Sequence, residues 1–303
     1  MSEDGTTAVV TIIGCAGDEF VVSGAGFGEQ NVELGRNPSG LLDAPFSTIY
    51  NSTAMGWGAR YGGMRFNQRS LVLPFNLVGD TSTDWAKCEK LFRRNWSPSR
   101  DTIIRVRADG ETRELAVRLG QETDQKMEID PRIRANSNMV MTCVAGWPFW
   151  VDLEETVEWE LPSGTSGSGV LPPISNPTDV PMYLKYVLDG AASPGGEIVW
   201  TLPDHSFGSD EWDRPTEDAA RTSKVRLAHG QGATVDTDPT EETVMADDGS
   251  QAPWATLEGD FLYCIPPETY NVELPIAVTG AHPGAAVQVR CERNYQRAWG
   301  LAG

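Results

Sequence analysis

Apolar side chains recur at every second position along most of the chain, the period of a half-buried strand. Leu71, Leu73, Phe75 and Leu77 alternate with Val72, Pro74, Asn76 and Val78. Pro74 predicts an edge position or a bulge there, because proline cannot donate to a ladder. Ile104, Val106 and Ala108 share one strand face, Asp109-Gly110 supplies a two-residue turn, and Leu115, Val117 and Leu119 share the return face. That pattern predicts a hairpin. Shorter runs at 9–13, 20–22 and 139–144 add strands, whereas the stretch from there to about Gly63 after the second run reads as loop-rich. One segment changes period. Trp85, Cys88 and Phe92 recur at helical spacing, Thr81-Ser82-Thr83 offer capping hydroxyls, and Asp84 suits the positive end of the helix dipole. Arg93, Arg94 and Pro98 close that helix.

Beyond Trp150 the period stays at two. Strand signals fall at 182–188, 198–202, 225–227, 233–235, 261–265, 272–278 and 287–291, with turns between and no helical run. Many short alternating strands predict a β-sandwich or jelly roll. Leu161 to Gly169 is Gly/Ser-rich and reads as linker, and Pro203 to Arg221 reads as a long acidic surface loop. The expected organisation is a first β domain with one packed helix at 1–155, a Gly/Ser/Pro linker at 156–175, and a second sandwich at 176–303.

Charge sharpens the division. The 303 residues carry a net −19; residues 1–150 hold 18 acidic and 16 basic side chains, residues 151–303 hold 25 and 8, so the halves carry −2 and −17. An anionic chain does not neutralise phosphates, which argues against nucleic-acid readout. No apolar run reaches the roughly 18 residues of a membrane span. The acidic start predicts no export leader.

Candidate chemistry is sparse. The five cysteines are odd in number, widely spaced and without a C-x-x-C pair, so buried free thiols are expected. Asp204-His205-Ser206 spells a triad in order, but consecutive residues do not converge as a relay. Gly24-Ala25-Gly26-Phe27-Gly28 lacks the third glycine and following helix of a dinucleotide loop. Asp236 and Asp238, with Glu241 and Glu242, could offer oxygens to a cation, the plainer reading being a solvated turn. No catalytic residue, cofactor or metal site is assigned. Trp212, in the acidic loop, and Trp254, after Pro253, are candidates for an exposed contact: stacking on sugar or anchoring a protein.

Taken in order, a glycine-rich, Arg-bearing segment (Trp57 to Arg69), Leu71-Val72-Leu73-Pro74, the helix Asp84–Asn95 and the Asp109-Gly110 hairpin resemble the first half of the distal tail protein family of long-tailed phages, labelled minor tail proteins in phages of actinobacteria. In the second half the resemblance rests on Ile198-Val199-Trp200-Thr201-Leu202-Pro203-Asp204, on Val235-Asp236-Thr237-Asp238-Pro239, on Phe261 through Pro267, and on the closing strand followed by Tyr295-Gln296-Arg297-Ala298-Trp299-Gly300. The resemblance implies a β-sandwich-like first domain forming a hexameric ring and a galectin-like second domain. It implies a structural virion protein at the tail tip, assembled in the host cytoplasm, that joins tail tube, tape measure and tail-tip hub proteins. Some second domains of the family contact the host surface, so a cell-wall glycan is a further expected partner.

The charge division fits a ring independently. Like charges repel over roughly 8 Å at physiological salt, so the −17 halves favour a splayed periphery and the near-neutral half is the better ring-former. In such a ring Arg65, Arg69, Arg105 and Arg107 are candidates for intersubunit pairing, against the plainer reading of a solvated strand face. Two rival readings stand beside it. One is a carbohydrate-binding sandwich adaptor using Trp212 or Trp254; the other is an envelope hydrolase with a carboxylate pair, for which no motif speaks.

Overall fold

The computed structural model describes residues 7–52, 54–125, 129–152, 154–190, 196–205, 216–250 and 252–300. The chain divides into two compact units. The first comprises Met1–Asp152 with Tyr295–Ala302, and the second comprises Leu153–Asn294 together with Gly303. The expected boundaries therefore shift. The first unit ends near Asp152, and the chain returns to it at Tyr295.

The first unit contains β1 (Val9–Ile13), β2 (Glu19–Ser23), β3 (Val32–Leu34), β4 (Phe46–Asn51), β5 (Arg60–Phe66), β6 (Arg69–Val78), α1 (Ser82–Arg94), β7 (Thr102–Ala108), β8 (Glu111–Leu119), α2 (Pro131–Arg134), β9 (Asn136–Ala145) and β10 (Trp150–Val151). Its main sheet runs β2-β1-β7-β8-β9-β6-β3, with antiparallel pairing throughout. The two ends of that path, β2 and β3, come into contact, so a single curled sheet approaches a barrel instead of the two-layered sandwich expected from sequence. Inward residues of alternating period form its core, among them Ile12, Phe20, Leu73, Phe75, Val106, Leu115 and Met141.

Helix α1 is where its spacing predicts it. The Thr81 hydroxyl accepts the Asp84 amide at 3.2 Å, and Trp85, Cys88 and Phe92 face inward. The Phe92 ring meets Phe20 and Phe75 edge-on, at 5.1 and 4.9 Å between centroids. At the C-terminal end of α1, Asn95 packs against Gly14 so closely that a Cβ there would fall 2.1 Å from the Asn95 side chain.

Pro74 is not on an edge. It pairs with Val140 in the interior of the sheet. In an antiparallel strand the N and O of one residue point the same way. The Pro74 carbonyl accepts from Gly35, so its missing donor faces the gap between Leu34 and Ser39, where pairing with β3 has stopped. Proline costs no ladder bond there.

Residues 23–63, expected as loops, include β3 and most of a long hairpin. β4 and β5 pair only with each other, as a two-stranded sheet apart from the main one, and every residue of β4 is exposed.

The second unit contains β11 (Glu155–Glu160), β12 (Ser166–Val170), β13 (Ile174–Asn176), β14 (Leu184–Leu188), β15 (Ile198–Pro203), β16 (Thr222–Leu227), β17 (Ala233–Asp236), β18 (Val244–Ala246), β19 (Thr269–Val272), β20 (Pro275–Thr279) and β21 (Ala286–Cys291). A five-stranded sheet, β11-β21-β14-β17-β18, and a four-stranded sheet, β12-β20-β15-β16, contribute to one apolar core. Trp159 of the first sheet meets Trp200 of the second edge-on at 6.3 Å.

Residues 156–175, expected as linker, are strands of this core. The glycines of β12 serve packing rather than flexibility. A Cβ on Gly169 would sit 2.0 Å from the Trp159 indole nitrogen, and one on Gly167 would sit 2.5 Å from Leu161. The expected strand at 261–265 reduces to one bridge, Met182 to Ile265, and the run 272–278 is split between β19 and β20. Asp204, at the end of β15, is buried. Its carboxylate accepts the Leu262 and Tyr263 amides and pairs with Arg221 at 2.9 Å.

Candidate functional site

Two arginines of the first unit lie on inward faces. Arg69 is in phase with Leu71 and Leu73, and Arg113 with Leu115 and Val117; each is 1% exposed. Arg69 donates from Nε to the Pro148 carbonyl at 2.6 Å, from Nη1 to those of Gly40 and Leu42, and from Nη2 to that of Gln296 at 2.7 Å. Burial draws its pKa down to about 10, with Asp43 acting the other way, so it stays cationic at neutral pH. Arg69 is therefore buried and not on a solvated strand face, with four hydrogen bonds made inside the chain.

Arg113 donates to the Arg297 and Gly300 carbonyls at 2.9 and 2.8 Å and to Glu111, and its guanidinium lies over the Tyr295 ring. Together the two arginines clasp the returning segment 295–300, which buries Tyr295 and Ala298 in the first core. Arg297 adds a pair with Asp43 at 2.6 Å. Sequence reasoning singled out Arg69 for a different role and passed over Arg113. The available signal was phase, because both continue an inward alternation.

The other candidate arginines stay near the surface. Arg105 pairs across the β7–β8 ladder with Glu114 at 2.6 Å. Arg65, on β5, and Arg107, on β7, are exposed and in no ion pair among the described residues.

The hairpin is the main exposed feature. Phe46, Ile49, Tyr50, Met55, Trp57, Tyr61 and Met64 all stand in solvent, Met55 and Trp57 almost completely. Tyr50 and Tyr61 meet across the pair at 5.9 Å. At its base Phe66 packs on Phe149, which packs on the half-exposed Trp147, at 4.8 and 5.4 Å. A lone two-stranded hairpin is marginal in water, and contiguous exposed apolar surface marks an interaction site. Sequence reading missed it because both faces are exposed, leaving no alternation to see.

In the second unit Trp254 is 61% exposed on a short 3-10 turn, Ala252–Thr256. Trp212 lies outside the described residues. Asp236 is engaged by Lys185 at 2.8 Å, and Asp238 by the amide and hydroxyl of Thr240 at 2.8 and 2.7 Å, so the acidic run is a self-bonded turn. Among the described residues no group of three His, Cys, Asp or Glu is placed to hold a metal, and no helix is long and apolar enough to cross a membrane. Asp204 is committed to Arg221 and two amides; Ser206 lies outside the described residues. The five cysteines form no disulfide with one another, and burial pushes the thiols of Cys88 up to about 11 and of Cys143 and Cys291 up to about 12, leaving little thiolate at neutral pH at these three.

No family model matches the chain. It is 27% identical to the minor tail protein Gp27 of Mycobacterium phage D29, and equally to that of Mycobacterium phage L5, covering 98% of this chain and 99% of each relative. Its fold is similar to that of the SPP1 Dit (gp 19.1) protein, described as a paradigm of the hub adsorption apparatus in phages infecting Gram-positive bacteria. That likeness has a TM-score of 0.58 at 12% identity and spans 94% of this chain and 99% of that one. In sequence across almost the whole chain, and in fold, this protein is thus similar to minor tail and Dit proteins, the likeness of a structural component of the phage tail tip.

Proposed function

We propose that the chain acts as a hub, self-associating through its first unit into a ring of six that joins the tail tube to tape measure and tail-tip proteins, with its galectin-like second unit at the periphery. In this role it transforms no substrate. The observation that carries the reading is the apolar hairpin 46–66, whose aromatic and aliphatic side chains beyond its base at Phe66 stand exposed. It belongs to the near-neutral part of the chain, where six copies approach with little repulsion, and Arg65 on the same hairpin lies exposed for pairing, as Arg107 does on β7.

Sedimentation and negative-stain imaging of the full chain test this. Six-fold rings, with a mass six times 33.0 kDa, are expected. A particle that stays monomeric at every concentration would overturn the reading, and glycan binding by that monomer would favour a carbohydrate-binding adaptor, the reading for which exposed Trp254 speaks.

A further inference from the structure

We propose that a cleft in the second unit binds alkylammonium groups. The cleft, of about 270 Å³, is lined by Glu241, Glu242, Thr243, Val244 and Trp254. It forms where the turn between β17 and β18 meets the 3-10 turn that carries Trp254. The exposed indole of Trp254 gives it an aromatic wall, while the Val244 side chain is packed into the core behind it. Its volume suits a small head group or one side-chain terminus, being below the range usual for drug-sized ligands.

The electrostatics of the cleft select a cation. Glu241 and Glu242 are both exposed, and neither is in an ion pair among the described residues. The nearby ammonium of Lys185 is held by Asp236 at 2.8 Å and also feels the Glu241 charge, offsetting part of the field on that side. An indole face carries the negative side of its quadrupole, so aromatic wall and carboxylate rim act in the same direction on a positive guest. The −17 of the second half adds to that field.

A hydrated divalent ion is the poorer guest, because it demands six or more oxygens and the cleft offers an indole opposite its carboxylates. A neutral sugar would gain the indole face but no charge attraction. An alkylammonium group uses both, with its carbon atoms on Trp254 and its charge toward the two carboxylates. Such a group can come from a free quaternary amine or from a lysine side chain of a partner protein.

The test follows the indole N–H resonances of the full chain during titration. The Trp254 signal is identified by its loss in Trp254→Phe. Choline, Nα-acetyl-lysine amide, the uncharged choline isostere 3,3-dimethylbutanol and a methyl galactoside are the probes. Saturable shifts at Trp254 are expected with the cations, at least about tenfold weaker binding with the isostere, and about tenfold weakening in Glu241→Gln/Glu242→Gln. The other indole signals should stay in place in that variant, reporting an intact fold. Tighter choline assigns a small-molecule source, and tighter lysine amide a protein one. The proposal falls if the isostere or the galactoside binds as tightly as the cations, or if no probe moves Trp254.

Discussion

The guanidinium of Arg113 lies 3.6 Å from the centroid of the Tyr295 ring, joining β8 to a segment that follows it by more than 180 residues. Both groups are buried, and the same guanidinium bonds two carbonyls of the returning segment. A desolvated cation–π contact and charge-assisted hydrogen bonds are each stronger than their exposed counterparts.

Arg113→Met is therefore expected to destabilise the full chain by about 3 kcal/mol, because it removes the cation–π contact and the charge-assisted donor to two part-buried carbonyls and to Glu111. Denaturant unfolding monitors this. In a double-mutant cycle with Tyr295→Leu the two sites should couple by about 1 kcal/mol, and strict additivity would contradict a direct contact.

Arg69→Lys tests the geometry of the other half of the clasp. Four carbonyls surround a planar fork, and an ammonium cannot face them all from one point. A loss of about 2 kcal/mol is expected despite the retained charge, read as a lower denaturant midpoint.

On the hairpin the expectation inverts. Trp57→Ser removes a fully exposed side chain, so monomer stability should change by less than about 0.5 kcal/mol. Self-association should weaken at least about tenfold, as for a central aromatic contact. Sedimentation across a concentration series separates the two effects.

Asp18 supplies a pH dependence. Its carboxylate accepts from Asn95 and Arg94, each at 2.8 Å, and these bonds hold its pKa below the ordinary 3.8. A depressed carboxylate stabilises the fold above its unfolded pKa, and that contribution is lost as pH falls through the folded value. The difference in unfolding midpoint between the native chain and Asp18→Asn should stay constant from about pH 8 to 5 and shrink below about pH 4.

Gly169→Ala probes the strand that sequence reading took for linker. The added methyl collides with the Trp159 indole, and a cost of about 1–3 kcal/mol is expected by thermal unfolding.

Where side chains alternate against a core, the sequence was readable: α1 from Trp85, Cys88 and Phe92, and the β7–β8 hairpin from its turn and facing aliphatics. What escaped did so for physical reasons. β12 presents glycines because a tryptophan needs their space, and glycine reads as flexibility. The hairpin of β4 and β5 is exposed on both faces, so nothing imposes a period of two. Arg69 and Arg113 are charged residues in apolar phase, and their identity outweighed their position. Trp254 was visible as a candidate, but its carboxylate neighbours became apparent only when the chain brought residues 241–244 beside it.

The return of residues 295–300 to the first unit has a consequence for biosynthesis. A ribosome must deliver residues 295–300 before Arg69 and Arg113 can be satisfied, so the first unit closes only after the second has been made. Nascent and prematurely terminated chains lack a finished first unit.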